Sequence, residues 1–313
     1  MVGYRTGLGL VFVCVIGWTG CNGKEAPRTV SLEKRQETTP QIDRRERHLR
    51  IAVGGMITPK AGYGYYRQFL DYVGEKVGMQ VDLVDRENYA EINKLVNTSD
   101  VDVAFVCGGP YVEGHDKFGM ELLVAPQAYG VTVYYSYIIV NRDSAISGFE
   151  GLRGKSFAFT DPLSNSGTLV PTYMLEVMHE TPGTYFSKTI YAQSHDKSIK
   201  AVAQRIVDGA AVDSLIWEYE NRINPEFTSR TKIIKQSPPY GIPPVVVRPG
   251  FDPKLKEQIR QAFLNAQLDP KGKAILAGMM IDKFVPIDDS AYNSIREMDK
   301  LIADHRKKRN NKP

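Results

Sequence analysis

Cysteine is scarce in these 313 residues: Cys14, Cys21 and Cys107 are the whole supply. Cys14 lies inside an apolar leader and Cys21 at its end, so Cys107 alone is left to the folded part and no disulfide can form within it. A chain of this length buries enough core to do without one. The apolar run Leu8–Trp18 is eleven residues long, too short to span a bilayer, which takes about twenty. The usual catalytic signatures are missing as well: there is no G-x-S-x-G elbow, no H-E-x-x-H, no Walker loop, no G-x-G-x-x-G after a strand and no C-x-x-C. Five histidines are too few and too scattered for a metal cluster: His48 and His305 sit near the ends, and His115 and His179 have no helical partner histidine. Ser164 or Ser166 with His195 and Asp213 could be imagined as a triad, but any chain of this size yields such a trio. Neither catalysis, a metal nor a cofactor is expected.

Charge of one sign is also missing where it would matter. The formal +4 comes from the ends: Arg5 contributes +1, residues 22–50 +3 and residues 304–313 +4, which leaves about −4 for residues 51–303. A nucleic-acid binder would carry its basic stripe on the fold itself, so none is expected as a partner. From Ser156 to Ser187 there is no Lys or Arg at all. An anion held by that segment would be held by neutral dipoles.

What is present begins with an export signal. Arg5, the eleven-residue apolar run and the ending "WTGC" mark residues 1–20 as a signal peptide. The ending resembles the lipobox of bacterial lipoproteins, although Trp18 departs from the usual aliphatic residue; the resemblance implies a lipidated Cys21 as mature N-terminus and a membrane anchor. Residues 21–49 are polar and charged with almost no aliphatic residues, and are expected to be a flexible tether. Such a coil would span about 30 Å.

From Arg50 onward strand-like and helix-like runs alternate. "LRIAVGGM", "VDLV", "VDVAFVC", "ELLVA", "SFAFT", "KTIYA", "VDSLIW", "TKIIK" and "PPVVVRP" read as strands; segments 62–77, 89–96, 168–179, 196–207, 253–267 and 288–303 read as helices. This predicts α/β architecture with mostly parallel sheets flanked by helices. "YGVTVYYSYIIVNRDS" is long enough to run from one sheet into another, and the four prolines of "SPPYGIPP" forbid a helix near a return. Two lobes joined by two crossings follow: lobe 1 from 50 to 135 with a C-terminal segment of about 240–303, lobe 2 from 136 to 239, and a basic tail from 304 to 313. A ligand is expected between the lobes.

The stretch "DPLSNSGTLVP", Asp161–Pro171, follows the strand "SFAFT" and opens an apolar-periodic run. Ser and Asn cap helix starts, Gly admits close approach, and the free amides of a first turn favour an anion. An ordinary Ser-capped helix accounts for Ser164 or Ser166 alone, less well for the whole hydroxyl-rich stretch. Likewise "SHDKS" places His195 and Asp196 at a helix start, where Asp196 either serves a ligand or caps the helix. Asp213 faces either the cleft or solvent.

These segments, with "YIIVNRDSAISGFEGLRGKSFAF" before and "AQSHDKSIKAVAQRIVDGAAVDSL" after them, resemble the phosphate/phosphite/phosphonate-binding proteins of bacterial ABC importers over about residues 50–265. The resemblance implies a two-lobed periplasmic binding protein fold, type II-like, that closes on a small oxyanion. It implies that Ser164, Ser166, Gly167 and Thr168 grip the oxyanion through hydroxyls and first-turn amides, with His195 and Asp196 beside them. The expected site is completed by Tyr63, Gly109, Tyr111 and Asp213. Tyr111 stands late for a ligand-contacting Tyr of the first lobe, and the amine-binding residues of some relatives do not line up near Trp217 and Tyr219. The expected protein is a monomeric, periplasmic, membrane-anchored substrate-binding component that delivers phosphonate, phosphite or phosphate to a permease and ATPase. The same fold could instead signal as a sensory or accessory lipoprotein.

Overall fold

A computed structural model describes residues 48–54, 60–86 and 88–310, with the side chains of 60–62 excepted. The leader, Cys21 and the tether lie outside the described residues. The chain opens with β1 (His48–Gly54), α1 (Lys60–Val77), β2 (Gln80–Arg86), α2 (Tyr89–Asn97), β3 (Val103–Phe105), α3 (Gly108–Phe118) and β4 (Glu121–Gln127). β5 (Val133–Tyr134) leads into β6 (Ser136–Asn141), β7 (Ser156–Phe159), α4 (Val170–Val177), α5 (Pro182–Tyr185), β8 (Lys188–Tyr191), α6 (His195–Ala203), β9 (Gly209–Asp213), α7 (Ser214–Ile223) and β10 (Thr231–Gln236). β11 (Tyr240–Gly241) then returns to β12 (Val245–Val247), α8 (Pro253–Leu264), α9 (Pro270–Gly278), β13 (Lys283–Val285) and α10 (Asn293–Asn310).

Two sheets result. The first runs β13-β4-β12-β3-β1-β2 and the second β10-β6-β9-β7-β8, while β5 and β11 pair with each other in a two-stranded ribbon. The alternation of strands and helices therefore gives the two-lobed α/β fold. The sheets are mixed rather than mostly parallel. β1 with β2 and β3, and β7 with β8 and β9, are parallel because a helix carries the chain back between them. β6, β10 and β12 are antiparallel to their neighbours. β6 and β12 follow the two crossings directly and enter their sheets from the opposite end.

The crossings are held by backbone: Tyr240 pairs with Tyr134 and Gly241 with Val133, and the Ile242 amide donates to the Thr132 carbonyl at 3.0 Å. "VVV" of β12 is buried throughout, as a strand covered on both faces must be. Two segments differ from their sequence reading. "VDSLIW" ends its strand at Asp213, whose carboxylate caps α7 by accepting from the Leu215 amide at 2.7 Å; a short apolar run does not tell strand from helix. The basic tail is helical to Asn310, because Arg309 and His305 reach across to Glu176 of α4, whose carboxylate is buried.

Candidate functional site

Parallel strands leave their following loops at one edge of a sheet, and ligands bind beyond that edge. Here β2 delivers Tyr89, β3 delivers Cys107 and Gly109, β7 delivers Asp161–Ser166, β8 delivers His195 and β9 ends at Asp213. The edges of the two sheets face one another. The Tyr89 amide donates to Asp161 Oδ2 at 3.2 Å, so α2 of the first lobe touches the loop after β7 of the second. A Cβ added to Gly109 would collide with the Leu163 carbonyl oxygen, so the backbone itself makes that approach.

The loop after β7 is shaped by its own side chains. Asp161 Oδ1 accepts from the Leu163 amide at 2.8 Å, and the Ser164 hydroxyl accepts from the Gly167 amide at 3.0 Å, capping a π-helical turn at Asn165–Leu169. Thr168 donates its hydroxyl to the Asp161 carbonyl at 2.7 Å. Gly167 packs on Thr160 where a Cβ would not fit. Of the four residues expected to grip an anion, Ser164, Gly167 and Thr168 thus build the turn. Ser166 is the one whose hydroxyl has no partner within the protein.

That hydroxyl has company. Tyr89 Oη, His195 Nε2 and Asp213 Oδ2 likewise lack a protein partner, and none of the four residues is more than 2% exposed. Buried polar atoms are rarely left so, and each instance calls for an explanation. His195 is oriented by the Asp213 amide, which donates to Nδ1 at 3.0 Å. The ring proton must then sit on Nε2, aimed away from that contact. Burial pulls the His195 pKa down to about 3, against an opposing pull from Asp196, so the ring stays neutral. Burial pushes Asp213 up to about 7 despite amides from Leu215 and Ile216 that favour its charge. The Tyr89 phenol is pushed well up by burial first, then by the charges of Cys107, Asp161, Asp213 and Asp196. A neutral imidazole N–H, two hydroxyls and a carboxyl that holds a proton near neutrality make a donor set for oxyanion oxygens, without a full positive charge.

A more open, polar space of the cleft lies where Asp85 and Arg86 face Asp161 and Gln193. A second space, of about 90 Å³, is walled by carbon from Tyr66, Phe105, Val106, Ile216 and Met279, with Asp213 on its wall. Asp196 is partly buried at the start of α6, and its charge reaches Tyr89, His195 and Glu220.

One expected contact stands elsewhere. Tyr111 is fully buried against Tyr292, its hydroxyl donating to Asp289 at 2.6 Å, because "GGP" opens a helix that turns the ring into the core. Tyr63 lies on α1 near Asp85, which lines the open polar space of the cleft, and burial and then that charge raise its pKa. Tyr89 and Asp161 were missed as site residues. Tyr89 could have been noticed as an aromatic directly after an Asn helix cap, and Asp161 as the first residue of the hydroxyl-rich stretch. Among the described residues no group of three or more His, Cys, Asp or Glu is placed to hold a metal, and no helix is long and apolar enough to cross a membrane.

A family model described as "ABC transporter, phosphonate, periplasmic substrate-binding protein" matches residues 56–292. The chain is 28% identical over 235 residues to the phosphonates-binding periplasmic protein of Escherichia coli K12, covering 74% of this chain and 69% of that one. It is 22% identical over 253 residues to a probable ABC transporter phosphite binding protein, PhnD1, of Prochlorococcus marinus, covering 76% and 84%. Among solved structures, a binding protein component of an ABC phosphonate transporter from Pseudomonas aeruginosa superposes with a TM-score of 0.78 at 25% identity, covering 82% of this chain and 87% of that one. The Prochlorococcus PhnD1, solved with methylphosphonate, gives 0.73 at 20%, covering 82% and 98%.

Proposed function

The chain belongs to the family of ABC-transporter phosphonate periplasmic substrate-binding proteins, and from that membership we propose that it holds its phosphorus oxyanion between Tyr89 of one lobe and Ser166, His195 and Asp213 of the other. It is the substrate-binding component of an importer, and the ligand is a phosphonate, phosphite or phosphate. Four buried polar atoms without a protein partner, brought together from both lobes, are the observation that carries the assignment. Hydrogen bonds to a charged group contribute about 1.5–3 kcal/mol each. Three or four of them support micromolar binding after association costs of several kcal/mol. Asp213 in its protonated form donates to an oxygen; as a carboxylate it repels a fully deprotonated anion, which favours singly protonated oxyanions over sulfate. The arm at Tyr89 and the arm at Ser166 close on the ligand by bending in the β5 and β11 crossings.

In this reading lobe 1 comprises 50–135 with about 240–303 and lobe 2 136–239. Export through residues 1–20 and lipidation of Cys21 place the domain on a tether at the membrane, where a permease and ATPase receive the closed form. The test is calorimetry of the purified protein against phosphate, phosphite, methylphosphonate, aminoethylphosphonate and sulfate, with Ser166→Ala beside the native chain. One phosphorus oxyanion should bind at micromolar or tighter concentration, about tenfold more weakly in the variant, with no heat from sulfate. Sulfate binding as tightly as every phosphorus compound would contradict the assignment of Asp213.

A further inference from the structure

The carbon-walled space beside Asp213 is poorly made for an inorganic oxyanion. All of phosphate's oxygens seek hydrogen-bond donors, and walls formed mostly by residues such as Phe105, Val106, Ile216 and Met279 supply few: besides Asp213, only the hydroxyls of Tyr66, Tyr129 and Tyr219 are polar side-chain groups there among the described residues. Asp213 is the single charged residue on those walls among the described residues, and one of its oxygens has no protein partner. Phe105 and Val106 also line the small space next to Tyr89 and Cys107. The carbon-walled chamber therefore adjoins the anion-binding group, with Asp213 at the junction. Its volume is about 90 Å³. An apolar cavity of about 150 Å³ takes up benzene, so this one has room for a chain of roughly three to four carbons.

The geometry points to an organophosphonate ligand whose uncharged, apolar substituent of about three to four carbons fills this chamber while its phosphonate oxygens meet Tyr89, Ser166 and His195. The proposal rests on the oxyanion reading above and narrows it. A substituent ending in an ammonium would bring a full charge and three donors to walls whose one charged acceptor is the free Asp213 oxygen, with only tyrosine hydroxyls beside it. An apolar one needs no partner there and gains from every carbon it removes from water. Each buried methylene tightens binding about threefold to fourfold. Asp213 is suited to the junction, since in its protonated state it donates to the phosphonate and faces carbon on its other side.

The experiment is a calorimetric series on the purified full chain with phosphate, phosphite, methyl-, ethyl-, propyl-, butyl- and decylphosphonate, and aminoethylphosphonate. The dissociation constant should fall about threefold per added carbon, by roughly 30-fold from methyl to butyl, and rise again at decyl. Propylphosphonate should bind at least tenfold tighter than aminoethylphosphonate. In Ile216→Trp, whose indole enters the chamber, the slope measured relative to that variant's own methylphosphonate affinity should vanish. A flat or rising series in the native chain, tighter binding of aminoethylphosphonate than of propylphosphonate, or tightest binding of inorganic phosphate would overturn the chamber proposal and leave the oxyanion reading standing. Binding of none of these compounds would overturn the oxyanion reading, and the chamber proposal with it.

Discussion

Asp213→Asn separates what the carboxylate's charge does from what its shape does. Asn retains an oxygen for the Leu215 amide, and Asp and Asn are nearly equivalent helix caps. Burial raises the folded-state pKa of Asp213 from 3.8 to about 7, so between those values the folded chain holds a proton that the unfolded chain has released. A raised folded pKa contributes stability in full below the unfolded pKa and loses it as pH rises through the folded one. The fall therefore starts near pH 4 and ends just above pH 7. About three pH units at about 1.4 kcal/mol each set an upper bound of about 4 kcal/mol, and relaxation brings the expectation to about 2–4 kcal/mol. Urea unfolding of the ligand-free protein reads this directly. Native and variant chains should share a midpoint at pH 4, and the variant should be more stable by about 2–4 kcal/mol at pH 8, a midpoint shift on the order of 1 M urea. Taking the difference cancels the other titrating groups, including Glu220, which burial and then Asp196 also raise to about 7. Equal midpoints at both pH values, or a native chain more stable at pH 8, would show that the Asp213 charge has a partner and that the burial argument is wrong.

Three further outcomes follow from the same geometry. Gly109→Ala places a methyl against the Leu163 carbonyl and should hold the lobes apart, weakening ligand binding at least tenfold and reducing ligand-induced compaction in small-angle scattering. Tyr89→Phe removes a hydroxyl with no protein partner, so thermal stability should not fall while methylphosphonate affinity drops about tenfold. Removing residues 304–313 deprives Glu176 of Arg309 and His305; these partners, Arg309 foremost, hold its pKa below the ordinary 4.5. A depressed carboxyl pKa contributes stability above the unfolded pKa and loses it as pH falls. Truncation should therefore cost about 1–3 kcal/mol at pH 7, and the gap should shrink below about pH 4.5 in parallel urea titrations.

The parts of this fold that local sequence specifies were legible. Strand runs such as "SFAF" and the capped start at Ser164 follow from periodicity and turn chemistry, and so does the two-crossing layout, given the prolines near Tyr240. What was hidden depends on partners far along the chain. Nothing within "VNTSDVDVAFVCGGPY" tells whether Tyr111 points to the cleft or into the core; Tyr292 and Asp289, nearly two hundred residues on, decide it. Tyr89 looks like any first helical residue until β7 delivers Asp161 to its amide. The division of labour in the hydroxyl-rich loop was equally hidden. Whether a serine caps a turn or keeps its hydroxyl free depends on a single residue of offset, and Ser164 and Ser166 differ by two. The C-terminal cations look solvated in sequence because their anion, Glu176, is on another helix.

The central claim is that hydroxyls from opposite lobes hold one anion, and a double-mutant cycle on methylphosphonate affinity with Tyr89→Phe and Ser166→Ala tests it most directly. Each single change should weaken binding about tenfold, and the pair should deviate from additivity by at least 0.5 kcal/mol, as groups sharing a partner do. Native affinity in both single variants would contradict the claim and move the anion away from the cleft described above.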